Sequence, residues 1–175
     1  MKLYDDVLDK EANTYLEEIM LRSKEFPWYF SPDNLYSNRL KDYNTDCFYF
    51  IHNFVIKGEI NSDHFYLVKP LIEYVEQRHD IEGVLRIKAN LYTNQHTNIK
   101  YGQHVDQEGL EETDCYIGLY NVVSCDGGTW VGGTTYPSIS NQLLLFDNVS
   151  HYGITQTDTQ TRISINFNFK RKQNE

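Results

Sequence analysis

The chain has 175 residues, 40% of them hydrophobic, and a formal net charge of -9, enough for one domain with its own core. With 16 basic against 25 acidic residues it lacks the electrostatic footprint of a protein that grips a phosphate backbone, so nucleic acid is an unexpected partner. No apolar run approaches the ~20 residues of a membrane span, the acidic start lacks a signal-peptide core, and the scattered Cys47, Cys115 and Cys125 read as free thiols, so the expectation is a cytoplasmic protein.

An aromatic share of 14%, rich in Tyr and Phe, favours sheet. Residues 5–24 nevertheless open the chain as a helix, because Val7, Leu8, Ala12, Tyr15, Leu16, Ile19 and Met20 recur at helical spacing. The aromatic run of residues 26–30 reads as core packing or a cap on the sheet. Residues 31–44, with Pro32, Asp33, Asn34, Ser37 and Asn44, read as loop. Residues 46–56 form a strand, with His52 as a structural residue inside it. A second helix fits residues 62–78, capped by Ser62, with Pro70 imposing a kink or a late start.

Residues 86–92 alternate strictly. Arg86, Lys88, Asn90 and Tyr92 share one face; Ile87, Ala89 and Leu91 share the other. The polar face fits either the wall of a wet pocket or an ordinary solvent-facing strand. A polar loop over 93–100 follows, in which His96 reads as a surface residue. Residues 107–113 form an acidic loop, and 115–123 a strand. The run from Asp126 to Gly128 signals a turn, with extended chain resuming at Thr129 before Gly132 and Gly133. Residues 141–147 form a buried strand. The final strand, 162–169, alternates Arg162, Ser164, Asn166 and Asn168 against Ile163, Ile165, Phe167 and Phe169. The basic residues 170–172 read as a solvated tail.

Chemistry concentrates at His104 and Asp106. In extended chain, positions i and i+2 point to one side, so an imidazole and a carboxylate can close on one ion. His151, reached by the strand over 141–147, supplies a third ligand. Two histidines and one carboxylate suit a non-haem Fe(II) centre with positions open for other ligands. A lone His-x-Asp recurs by chance; His151 and the later Arg162 make the set specific.

On these residues the chain resembles the 2-oxoglutarate- and Fe(II)-dependent oxygenases of the prolyl-hydroxylase-like type, close in size to small phage-encoded members. Tyr101, His104 and Asp106 are similar to that family's first metal segment. His151 follows about 45 residues later and Arg162 lies 11 beyond it, at spacings similar to the family's second histidine and cosubstrate-binding cation. The resemblance implies that His104, Asp106 and His151 hold Fe(II). It implies that Arg162 and Ser164 hold the distal carboxylate of 2-oxoglutarate, with Arg162 where many prolyl hydroxylases use lysine. Asn90 and Tyr92 are similar to a cosubstrate-binding Asn-x-Tyr pair in DNA-dealkylating oxygenases of the same superfamily. The glycines of 127–133 resemble a Gly-Gly hairpin near the site mouth.

The implied fold is mainly β with supporting helices, a double-stranded β-helix (jelly roll) with the helices packed outside one sheet. One Fe(II)/2-oxoglutarate domain is expected over 1–175, with helical support over about 1–80 and a catalytic β core over about 83–170. The implied reaction consumes O2 and 2-oxoglutarate, releases succinate and CO2, and hydroxylates a C–H bond of a peptide or small molecule. For a phage-encoded chain the compartment would be the host cytoplasm. Tyr101 and Trp130 are candidates for substrate contact or plain core aromatics, and the acidic loop favours a cationic target. A non-catalytic jelly-roll binding module and a nucleobase oxygenase stand as the other readings.

Overall fold

The structure is a computed structural model and describes residues 1–31 and 48–172. In chain order the elements are β1 (Lys2–Tyr4), α1 (Lys10–Arg22), β2 (Tyr29–Ser31), β3 (Tyr49–Ile56), β4 (Glu59–Ile60), a 3-10 segment (Asp63–Leu67) and α2 (Lys69–Glu76). There follow β5 (Ile81–Thr93), β6 (Cys115–Asn121), β7 (Cys125–Val131), β8 (Thr134–Ser138), β9 (Gln142–Asp147), β10 (His151–Ile154) and β11 (Thr161–Arg171). The large antiparallel sheet runs β1-β9-β6-β11-β5-β3-β2, with β4 beside β3. A small sheet, β10-β7-β8, faces it. This is the expected mainly-β jelly roll with supporting helices.

Period-two alternation decides what each face of the large sheet does. Ile87 and Ala89 of β5, Ile163, Ile165, Phe167 and Phe169 of β11, and Leu143 and Leu145 of β9 turn one way. They pack with Leu16 and Met20 of α1 and Leu71, Ile72 and Val75 of α2 in one core. At the other face Ile117, Leu119, Leu144 and Phe146 meet Val131 and Tyr136 of the small sheet. Beside that second core, against which Leu85 of β5 packs, β5 from Arg86 onward and β11 present polar residues. Arg162, Ser164, Asn166 and Asn168 are all buried, so the polar alternation marks an interior, not a solvent-facing strand. Burying so many polar groups costs stability unless each finds a partner.

Several boundaries differ from expectation for local reasons. α1 starts at Lys10 because Asp9 caps it, accepting from the Ala12 amide at 2.8 Å. Residues 5–9 are not helical. Val7 and Leu8 are apolar because they plug the core, and the Leu8 amide donates to Asn141 Oδ1 at 2.9 Å. β1 pairs with β9 and was not anticipated; its three residues are too short for a pattern. Pro70 begins a late α2, after a 3-10 segment whose His64 amide donates to Ser62 Oγ. His52 is structural, its ring bonding Pro27 O at 2.8 Å and Ser62 Oγ at 2.7 Å. His96 is exposed, as expected.

The turn expected at Gly127 and Gly128 is instead inside β7, where a bulge interrupts the pairing with β8. These glycines serve close approach. A Cβ on Gly127 would sit 2.8 Å from Ile154 O, and one on Gly128 2.4 Å from Tyr136 O. The hairpin turns at Gly132 and Gly133, both at positive φ. Residues 170 and 171 are not a solvated tail: Lys170 pairs with Glu82 at 2.7 Å, and Arg171 bonds Asp147 and lies over the Tyr116 ring. The expected loop over 31–44, apart from Ser31 at the end of β2, lies outside the described residues, as do Asp46 and Cys47. Cys115 is buried and Cys125 half-buried, both as free thiols. Among the described residues no helix is long and apolar enough to cross a membrane.

Candidate active site

His104, Asp106 and His151 converge. One ligand atom from each lies within 4.8 Å of the others. The His104 segment is not a strand; it makes a single antiparallel bridge to His151, with amide-to-carbonyl bonds of 3.0 and 2.9 Å in the two directions. That bridge sets the imidazole centroids 4.5 Å apart. Each ring donates its Nδ1 hydrogen to a nearby carbonyl, His104 to Gly102 O and His151 to Val149 O, both at 2.9 Å. This fixes the tautomer and turns both Nε2 atoms toward Asp106, at 3.6 Å from Oδ1 and 3.9 Å from Oδ2. Ligands each ~2.1 Å from one ion sit roughly 3–4 Å from each other, so the set fits a metal.

Asp106 is held by three donors. Arg86 Nη2 reaches Oδ1 at 2.9 Å; Asn166 and Asn168 reach Oδ2 at 2.6 and 3.1 Å. Burial opposes the charged carboxylate, but His104, Arg86 and His151 outweigh it and hold the carboxyl well below its ordinary range. Burial lowers the His151 pKa, against the pull of Asp106, which favours the neutral, metal-binding imidazole. Arg86, Asn166 and Asn168 had no assigned role in the sequence. Their signal was the polar alternation of β5 and β11, which set Asn168 opposite Arg86 and Asn166 opposite Lys88.

The same register sets Arg162 opposite Tyr92 and Ser164 opposite Asn90. All four line a cavity of about 420 Å³ together with Lys88, Thr129 and the three candidate ligands. Arg162 is 2% exposed. It donates to Thr129 Oγ1 at 3.1 Å and lies 5.2 Å from the Tyr92 ring centroid. Its Nε is buried with no hydrogen-bond partner among the described residues, and so is Asn90 Oδ1. Burial raises the Tyr92 pKa, so its hydroxyl stays a donor. A buried guanidinium with an unspent donor, flanked by Ser164 and Tyr92 hydroxyls, has the chemistry of a carboxylate cradle. The residues therefore fit the cosubstrate expected for them.

Of the two aromatic candidates, Tyr101 adjoins this cavity. With Tyr49, Tyr92, Gly102, His104 and Gly153 it lines a second one of about 320 Å³, and its ring centroid is 5.1 Å from that of Tyr92. Trp130 follows Thr129 on β7 and so points to the opposite face, stacked on Tyr152 at 5.0 Å. It does not line either cavity.

Comparison with solved structures bears on the fold. A Pseudomonas putida prolyl-4-hydroxylase superposes with a TM-score of 0.61 at 14% identity, over 98% of this chain and 92% of that one. A Trichoplax adhaerens prolyl hydroxylase, in complex with a hypoxia inducible factor oxygen degradation domain peptide fragment, gives 0.64 at 16%, over 97% and 83%. A Burkholderia pseudomallei oxidoreductase of the 2OG-Fe(II) oxygenase family gives 0.61 at 10%, over 96% and 83%. No protein-family model and no curated protein sequence matches the chain. At these identities the likeness is one of fold: the chain has the prolyl-hydroxylase-like fold of the 2-oxoglutarate/Fe(II) oxygenases.

Proposed function

We propose that this protein is an Fe(II)- and 2-oxoglutarate-dependent oxygenase that hydroxylates a C–H bond. The observation that carries the reading is the joint placement, in one cavity, of a two-histidine-one-carboxylate set and a buried arginine with an unspent donor. A sugar- or ligand-binding jelly roll needs neither. His104, Asp106 and His151 would hold the metal. Arg162, Ser164, Tyr92 and Asn90 would hold 2-oxoglutarate, the first through its planar fork. Fe(II) and 2-oxoglutarate together supply oxygen activation, with succinate and CO2 as coproducts.

The chain's own residues supply position and dryness. Gly102 O and Val149 O hold the imidazoles in the metal-binding tautomer. Asn166 and Asn168 hold the Asp106 carboxylate in place through Oδ2. The buried floor of β5 and β11 keeps bulk water from the cosubstrate, which strengthens each polar contact there. Tyr101 would border the substrate.

The test is succinate formation by purified protein given Fe(II) and 2-oxoglutarate in air. Turnover should require both additions and disappear in His151→Ala. Succinate release that persists in that variant would sink the proposal.

A further inference from the structure

Lys88 lines the cavity and has no role in the proposed metal or cosubstrate contacts. It is 8% exposed and lines the cavity beside His104, Asp106 and Asn166. Among the described residues its side chain makes no hydrogen bond and no ion pair; its one contact of note is the Tyr49 ring, whose centroid lies 5.8 Å from Nζ. Asp106 does not satisfy it, because Arg86 occupies Oδ1 and the two asparagines occupy Oδ2. Burial pushes the Lys88 pKa down to about 8, helped by Arg86, so the ammonium is still charged near neutral pH. A buried, unpaired cation is costly. It is the kind of group a ligand neutralises.

The cosubstrate carboxylate assigned to Arg162 is not that ligand. Lys88 stands opposite Asn166 and Arg162 opposite Tyr92, so four residues of β11 separate the two cations. At ~3.3 Å per residue that is roughly 13 Å of strand. Formal charge points the same way. A dication, Asp106 and a dianionic cosubstrate together carry one negative charge, against the two cations that line the cavity, Arg162 and Lys88. Positive charge remains in a buried cavity even after the cosubstrate is accommodated.

We infer that Lys88 is a specificity-determining residue that receives the carboxylate of a small acidic substrate, placing the reacting carbon beside the metal centre. The inference rests on the proposed function above. It revises the expectation of a cationic target, which considered only the exposed acidic loop. The cavity wall at Lys88 would repel a cationic group and would leave Lys88 unpaired against a neutral peptide backbone. The adjoining space lined by Tyr49, Tyr92 and Tyr101 gives room for an apolar portion of the same molecule.

The experiment is calorimetric, so it reads binding and not turnover. Full-length protein loaded with Zn(II) and excess 2-oxoglutarate is titrated with the twenty L-amino acids, C3–C6 monocarboxylic acids and the amide of each. At least one acid should bind, with its amide at least tenfold weaker. Lys88→Gln should bring acid and amide within about twofold, Lys88→Arg should keep the preference, and 2-oxoglutarate affinity should change less than about threefold in both. Removing an unpaired buried charge does not threaten the fold, so both variants are usable. Equal binding of acid and amide by the unaltered protein overturns the inference, as does the absence of any acid binding. A loss of 2-oxoglutarate affinity in Lys88→Gln as large as that in Arg162→Ala also overturns it, by returning Lys88 to the cosubstrate site. If the unaltered protein fails to bind 2-oxoglutarate at all, both the proposed function and the inference fall.

Discussion

At the scale of single residues, the site is a set of charges whose partners decide their state. Arg162 is enclosed and only partly bonded, with Thr129 as its hydrogen-bond partner and Nε unspent. Arg162→Ala should therefore leave the cosubstrate carboxylate unpaired in a dry pocket, at a cost of roughly 2–4 kcal/mol, or about 30- to 1,000-fold in 2-oxoglutarate affinity. Metal affinity should barely move, because no candidate ligand bonds Arg162. Titration of 2-oxoglutarate and of metal into both proteins separates the two, and equal 2-oxoglutarate affinity would count against the assignment. Lys88 makes a different prediction, on stability. Its pKa falls from 10.5 to about 8 on folding, so the folded state resists its charged form. That penalty is complete below pH 8 and vanishes as pH rises to about 10.5, where the unfolded chain also loses the proton. Metal-free Lys88→Met should thus be more stable than the unaltered protein at pH 7, by about 1–3 kcal/mol, with the gap closing toward pH 10.5. Urea unfolding of both proteins at pH 7 and 10 is the check; a constant gap would mean that Lys88 is not the titrating group.

At the scale of elements, β5 and β11 carry the design. Each puts apolar residues against the helices and polar ones into the cavity, and their mutual register pairs Arg162 with Tyr92 and Asn168 with Arg86. Ile165 is fully buried in the helix-side core, so Ile165→Ala should cost about 2–5 kcal/mol and lower Tm without altering the site chemistry. Gly127 does alter it. A Cβ there would meet Ile154 O at 2.8 Å and the Arg162 Cδ at 3.1 Å. Gly127→Ala should displace β10 or Arg162, costing about 1–3 kcal/mol and weakening 2-oxoglutarate more than metal. Unchanged affinity and Tm would show that the neighbours yield freely. The alternation of these two strands was legible because side-chain chemistry switches at every residue. The Gly127 bulge was not, because a glycine needed for close approach and a glycine needed for a turn look the same in sequence. β1 was hidden for want of length, and Val7 and Leu8 imitated a helical stripe while serving as core plugs.

At the scale of the molecule, the fold is a means of bringing distant segments to one wall. Asp106 meets Arg86 from β5 and Asn166 and Asn168 from β11, and its neighbour His104 bridges to His151 at the start of β10. The convergence of His104, Asp106, His151 and Arg162 on one cavity was expected from spacing, residue type and the family resemblance. What holds Asp106 was not, because that depends on strand register, which no single segment records. Lys88 was legible only as one residue of a polar face that fitted a pocket wall or a solvent-facing strand; its burial depends on the opposing sheet. The central claim is that His104, Asp106 and His151 form one metal centre, and the most direct test is Fe(II) binding measured anaerobically by equilibrium dialysis. The unaltered chain should bind about one Fe(II). His104→Ala, Asp106→Ala and His151→Ala should each lose most of that affinity while keeping the far-ultraviolet circular dichroism of the folded protein. Undiminished Fe(II) binding in all three folded variants would contradict the account.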